Sequence, residues 1–246
     1  MKAAPEAQKR LLDLAELDSV IDRLAHRRRT LPELAEIDER SKRYARLATQ
    51  VIEAETEAGD LAREQTKAES DVDAVRTRAE RDQKRLDSGA VTSPRDLASL
   101  QSEIVSLHKR QGDLEEIVLE IMERREAADA KATDLVAQRD ELAAAVSALE
   151  DRRDAALKEI DKEAADVRGR RTAVAGEIPA DLLALYQKLR EQYGVGAAML
   201  RGGRCQGCKV ALSIAEMNRI KAAPHDEVIR CDECRRILVR TAESGL

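Results

Sequence analysis

The sequence predicts a mainly α fold: a long antiparallel coiled-coil hairpin followed by a small C-terminal module held by four cysteines. Three observations carry that expectation. Charged residues fill 37% of the 246 positions and aromatic residues only 1%, with no Phe or Trp. Apolar residues recur at alternating steps of three and four, the period of a left-handed coiled coil. All four cysteines fall in two C-x-x-C pairs near the C-terminus.

A compact domain of this length ordinarily fills its interior with aromatic rings that each bury about 150–250 Å². Here Leu, Ala, Val and Ile stand among Glu, Arg, Lys, Asp and Gln, the composition of long helices. An extended seam is therefore expected in place of one large core. The net charge of −5 comes from interleaved signs, which gives no whole-chain attraction to nucleic acid. No apolar run reaches 18 residues, which argues against a membrane span. Residues 1–10 lack the apolar stretch of a secretion signal, so a cytoplasmic location is expected.

The heptad pattern starts with Leu14, Leu17, Ile21, Leu24 and Leu31. Pro32 would cost about 3 kcal/mol inside a helix, so a kink or break is expected near residues 30–32, with Thr30 capping the next helix. The pattern resumes from Tyr44 through Val51, Leu61 and Val72 to Leu86, and again from Leu97 through Ile104, Leu114 and Ile121 to Val167. Between these stretches lies the tip, residues 87–94. Gly89 suits a helix stop, Ser93 an N-cap and Pro94 a first helical position. Stop and start signals in that order predict a fold-back, with arms of about 75 residues reaching on the order of 110 Å. The seam has polar breaks at Gln111, Arg125, Arg139 and Arg153, two heptads apart. Such residues penalise slipped pairings. Folding about residues 91–92 would set Arg125 beside Glu57.

A separate helix is expected from Pro179 through Leu182, Leu185, Tyr186 and Leu189 to a stop at Gly194. The domain boundary then falls at about 172–178, giving a hairpin over 1–175 and a second domain over 176–246. Gly194-Val195-Gly196 and Gly202-Gly203 read as structural turns, since a phosphate loop also needs a preceding buried strand and a following Lys-Ser/Thr.

Cys205-Gln206-Gly207-Cys208 and Cys231-Asp232-Glu233-Cys234 supply the chemistry. Each C-x-x-C turns two sulfurs toward one point, and two such knuckles complete a tetrahedron. Four thiolates at ~2.3 Å saturate one Zn²⁺ and leave no position for water or substrate, so the site is structural. Iron in a four-thiolate site and a dithiol redox pair are the competing readings, the latter needing only one C-x-x-C in a βαβ setting. The second domain is thus a small zinc ribbon. Strands are expected around 198–200, 209–212, 228–230 and 237–240. Ser213-Ile214-Ala215-Glu216 is a capping-box pattern that opens a short helix. So small a module needs its metal, and chelation is expected to unfold roughly residues 198–241.

Taken with the tip sequence Ser93-Pro94-Arg95-Asp96-Leu97 and the ending Cys234-Arg235-Arg236-Ile237-Leu238, the chain resembles the bacterial C4-type zinc-ribbon domain family over nearly its whole length. It departs from that family at Arg235, where Gly often follows the last cysteine, and at Ser93, where Asn is common. The resemblance implies a non-enzymatic adaptor. Some members act in flagellar gene expression through an alternative sigma factor or messenger RNA, but no residue here maps onto a sigma-factor contact.

The expected function is accordingly a zinc-binding adaptor in the regulation of gene expression, with a protein partner and with RNA or DNA as a further ligand class. Candidate contacts are Arg204, Lys209, Arg219, Lys221, Arg235 and Arg236. The ribbon's acids offset much of this charge, and it has no aromatics for base stacking. The alternative is an RNA polymerase-binding regulator that acts through the tip residues Ser93, Pro94, Arg95 and Asp96. An enzyme is disfavoured. No nucleophile–base constellation accompanies His26, His108 or His225, the last of which stands beside Asp226 and reads as a surface residue, and no small-molecule substrate is implied.

Overall fold

A computed structural model describes residues 1–246. In chain order the elements are α1 (Pro5–Arg29), α2 (Pro32–Asp87), α3 (Pro94–Gly176), α4 (Ala180–Tyr193), β1 (Ala197–Arg201), β2 (Arg204–Cys205), α5 (Ile214–Ala222) and β3 (Ile237–Val239). They form two compact units, one of Ala35–Glu150 and one of Met1–Leu34 with Asp151–Leu246.

Pro32 breaks the helix rather than bending it. It stands first in α2, where its missing N–H removes no helical hydrogen bond. Thr30 does not cap α2 as the sequence suggested. Its hydroxyl donates to the His26 carbonyl at 3.0 Å, closing α1 instead.

Within Ala35–Glu150, α2 and α3 run antiparallel along an Ala- and Leu-rich seam. Ala58 and Leu61 close on Ala128, and small side chains at this level let the backbones approach. At the tip the Ser88 N–H bonds the Lys84 carbonyl at 3.0 Å, and Gly89 follows at φ +71°, a left-handed stop that costs glycine little. The Ser93 carbonyl accepts from Leu97 N–H at 3.0 Å, which starts α3.

The register differs from the sequence expectation. Glu57 takes Lys131 at 3.1 Å, and Arg125 donates to Gln65 at 3.1 Å. Those partners mirror about Pro94–Arg95, not about 91–92. Nearer the tip Arg78 meets Glu103, a pair that mirrors about 90–91, so one axis does not describe the whole seam. Each residue of axis shift moves every partner by two. Arg125 stays half-buried at the seam and meets the Gln65 amide across it where Glu57 was expected, with Asp129 of its own helix 3.4 Å from its Nε.

In the other unit the strands order β2-β1-β3. β1 and β3 are parallel, pairing Ala197 with Ile237 and Met199 with Val239, while β1 and β2 form an antiparallel hairpin. Alternation along these strands divides two cores. Ala197, Ile237 and Val239 face Leu11 and Leu14 of α1 and Leu182, Tyr186 and Leu189 of α4. Ala198, Leu200 and Leu238 face the other way, toward the cysteines and Ile220. The strands expected at 209–212 and 228–230 reduce to single bridges, Arg204 with Ala211 and Arg230 with Ile237. The knuckle turns bend the chain away on either side before a longer ladder can form. Residues 1–3 add an unexpected edge: Ala3 N–H bonds the Asp226 carbonyl at 2.7 Å and Val228 N–H the Met1 carbonyl at 3.1 Å.

Gly196 sets β1 against α4. A methyl there would lie 2.4 Å from the Tyr186 carbonyl oxygen and 2.7 Å from its ring. The obstacle is helix backbone, so Gly196→Ala is expected to destabilise this unit by about 3 kcal/mol, seen as a lower urea midpoint.

Candidate metal centre

The four cysteines converge. Their sulfurs all lie within 4.8 Å of one another, with Cys205–Cys234 at 3.8 Å and Cys208–Cys231 at 3.9 Å. A tetrahedron with ~2.3 Å metal–sulfur bonds has edges of ~3.8 Å, so the sulfurs already stand at the spacing a zinc ion requires. Cys205 and Cys231 are buried, and Cys208 and Cys234 half-buried.

Backbone hydrogen bonds shape each knuckle. Lys209 N–H bonds the Cys205 carbonyl at 2.8 Å, and Arg235 N–H the Cys231 carbonyl at 2.9 Å. The residue after each second cysteine must then turn left-handed, with φ +65° at Lys209 and +62° at Arg235. Glycine at position 235 is thus replaced without loss of the knuckle, at the cost of a strained side-chain-bearing residue. Arg235→Gly is expected to raise the stability of the metal-bound ribbon by about 1 kcal/mol, measurable as a later thermal transition.

Burial pushes the Cys205 thiol up and the Cys231 thiol up to about 12. Burial also opposes ionisation of Cys234, but hydrogen bonds from the Arg236 backbone and side chain outweigh it and bring that thiol down to about 7. Four crowded sulfurs favour thiolates only around a cation, and a dication supplies that charge. The donor set, spacing and burial fit one structural Zn²⁺, which leaves no open coordination position. Around it, Ala198, Leu200, Ile220 and Leu238 pack with the flanking Leu212, Met217 and Ile229. Ser213 and Glu216 form the expected reciprocal cap on α5.

Several of the ribbon's basic candidates have internal work. Arg236 donates to the Tyr193 and Val195 carbonyls at 2.9 and 3.1 Å, tying the knuckle to the end of α4. Arg219 pairs with Asp232 at 2.6 Å. Arg204 donates to the Lys209 carbonyl at 3.2 Å, and the Lys209 ammonium to Gln206 at 2.9 Å. Lys221 and Arg235 are exposed. Arg240, with carbonyls of Ala223, Pro224, His225 and Glu227 within 3.0 Å, is a structural clamp. The tip residues lie in the other unit, with Ser93 half-buried and Pro94, Arg95 and Asp96 exposed.

Sequence reasoning missed a buried ionic cluster. Asp18, 2% exposed, receives Arg171 Nε at 2.5 Å and the Tyr186 hydroxyl at 2.7 Å, and Arg190 Nε lies 3.2 Å away. It joins α1, α3 and α4. The one available signal was position: Asp18 sits four residues from Leu14, on the helix face that Leu14 and Leu17 bury.

The fold and site define a class: a helical hairpin that carries a closed four-thiolate ribbon, an interaction module for protein or nucleic acid. Residues 14–194 match the CT398-like coiled coil hairpin domain and residues 204–238 the C4-type zinc ribbon domain, both structural domains rather than known enzymes. The chain belongs to the CT398-like coiled coil hairpin family. A structure from Mycobacterium smegmatis is similar over 98% of this chain and 100% of that one, at 35% identity and a TM-score of 0.86. CT398 from Chlamydia trachomatis shares the fold over 96% and 98% of the two chains, at 19% identity and TM-score 0.68. An uncharacterised protein of Mycobacterium tuberculosis strain H37Rv is 39% identical over 99 residues, which span 40% of this chain and 39% of that protein's length. No helix is long and apolar enough to cross a membrane.

Proposed function

We propose that the protein is a zinc-dependent adaptor in the regulation of gene expression, and that its ribbon presents a surface to a protein partner. The observation that supports this reading is the pairing of a saturated metal site with apolar side chains outside it. Ile214, first in α5, is 82% exposed, and Val210, four residues earlier, is 44% exposed. The metal holds both knuckles and so orders the segment that displays them. A closed site supports presentation of a surface better than chemistry. Within this proposal the functional division follows the boundary at 175/176, with the hairpin as a spacer.

Nucleic acid is the second reading, supported by the exposure of Arg204, Lys209, Lys221 and Arg235. The two separate by salt and by residue. Affinity purification with the full chain should recover a partner that is lost from Ile214→Asp and from Cys231→Ser. Recovery insensitive to Ile214→Asp, but lost in Lys221→Glu/Arg235→Glu with a steep salt dependence, would favour nucleic acid. Recovery untouched by all three changes counts against the ribbon as the presenting surface.

A further inference from the structure

A two-helix hairpin has one seam, and apolar side chains off that seam meet water unless something else covers them. Asp113–Glu123 of α3 reads Asp-Leu-Glu-Glu-Ile-Val-Leu-Glu-Ile-Met-Glu, six apolar residues and five acids with no base. Leu114 and Ile121 enter the seam, at 7% and 4% exposure. Leu119 and Met122 do not, at 59% and 37%. Val105, two heptads before Leu119 on the same stripe, is 70% exposed, and Gly112 between them adds no side chain.

Leu119 and Val118 form, with Val72 of α2, the floor of an open groove of about 410 Å³. Its rim is Glu69, Asp73 and Arg76 of α2 and Glu115 of α3. Arg76 already bridges Asp73 at 3.1 Å and Glu115 at 3.6 Å, and the rim keeps a formal excess of two negative charges. C-terminal to this stretch the next bases of α3 point to α2, Arg124 pairing with Glu64 at 3.9 Å and Arg125 with Gln65 at 3.1 Å, while N-terminal to it Lys109 and Arg110 stand exposed beyond the groove's rim.

We infer that this groove docks a third helix from a partner protein, an amphipathic one whose leucine-type stripe is flanked by Lys and Arg. The apolar floor between two ridges takes a helix at heptad spacing, and the acidic rim selects the basic flanks. A second copy of this chain would set acid against acid, which disfavours self-pairing here. The inference deepens the adaptor reading by giving the hairpin its own partner class.

The test uses the full-length protein and a labelled synthetic peptide of about three heptads, with leucines at the seam positions and Lys/Arg beside them. A matched peptide carries Glu in place of the bases. The basic peptide should bind, the acidic one should not, and Leu119→Gln/Met122→Gln should weaken binding at least tenfold with unchanged helical circular dichroism. That double variant leaves every charge in place, so equal binding to it would reduce the effect to general attraction and overturn the inference. Absence of binding would overturn it too, as would a wild-type dimer in sedimentation that the double variant abolishes. Ile214→Asp should bind the peptide normally. Failure of the peptide arm therefore leaves the ribbon's capture of a partner standing, and loss of that capture leaves the groove standing.

Discussion

Replacing Cys231 with serine, or stripping the metal with a chelator, should unfold both knuckles and α5 while the long helices keep their far-UV signal. The cluster around the site is a handful of side chains, too little apolar area to hold by itself. Structural zinc in small modules contributes an apparent 10–16 kcal/mol or so near neutral pH, and here that stabilisation has no substitute. The sequence alone suggested a melted segment of 198–241. The structure narrows it. Ala197, Ile237 and Val239 are buried against α1 and α4 on the face away from the metal, so β1 and β3 keep a second source of order. Hydrogen exchange followed by segment should show protection lost over about 203–236 and partly retained in the two strands. Full protection of 203–236 in metal-free protein would contradict this account.

The second large effect belongs to Asp18. Asp18→Ala should destabilise its unit by about 3 kcal/mol, because it strips Arg171 of its counter-charge and leaves Arg190 beside it with only the more exposed Asp22 at 3.0 Å. Asp18→Asn keeps the volume and an acceptor, and should recover part of the loss. Tyr186→Phe removes a hydrogen bond to a buried carboxylate and should cost about 2 kcal/mol near pH 7. Burial, and then its bond to Asp18, push the Tyr186 hydroxyl far above the ordinary tyrosine range. The native state then holds this proton while the unfolded chain releases it near pH 10. Stability is therefore full below pH 10 and declines as pH rises beyond it. Urea titrations of wild type and Tyr186→Phe should diverge near neutrality and approach each other above pH 10. A constant gap between them across that range would show that Tyr186 does not keep its proton.

The hairpin and its zinc ligands were legible because each rests on a local repeat. Heptads report a seam, Gly89 and Pro94 a turn, and two C-x-x-C pairs a tetrahedron, all without knowledge of distant residues. What stayed hidden depends on long-range partners. The facing of Arg125 with Gln65 depends on how the two arms are staggered, which no heptad encodes. Asp18 looked like one more surface acid until helices more than 150 residues away brought two arginines and a tyrosine to it. The ribbon's tie to residues 1–3 escaped for the same reason. Nor does a count of arginines reveal that Arg236 and Arg240 are consumed by backbone carbonyls.

The bonds from residues 1–3 to residues 226–228 also set an order for biosynthesis. At about 5–20 residues per second, residues 1–3 leave the ribosome some tens of seconds before the segment that completes them. The segment 35–150 holds both sides of its own seam and can zip while translation continues. The unit that contains residues 1–34 consequently closes after the segment 35–150. Chains stalled near residue 200 should resist protease over 35–150 and be cut readily within 1–34.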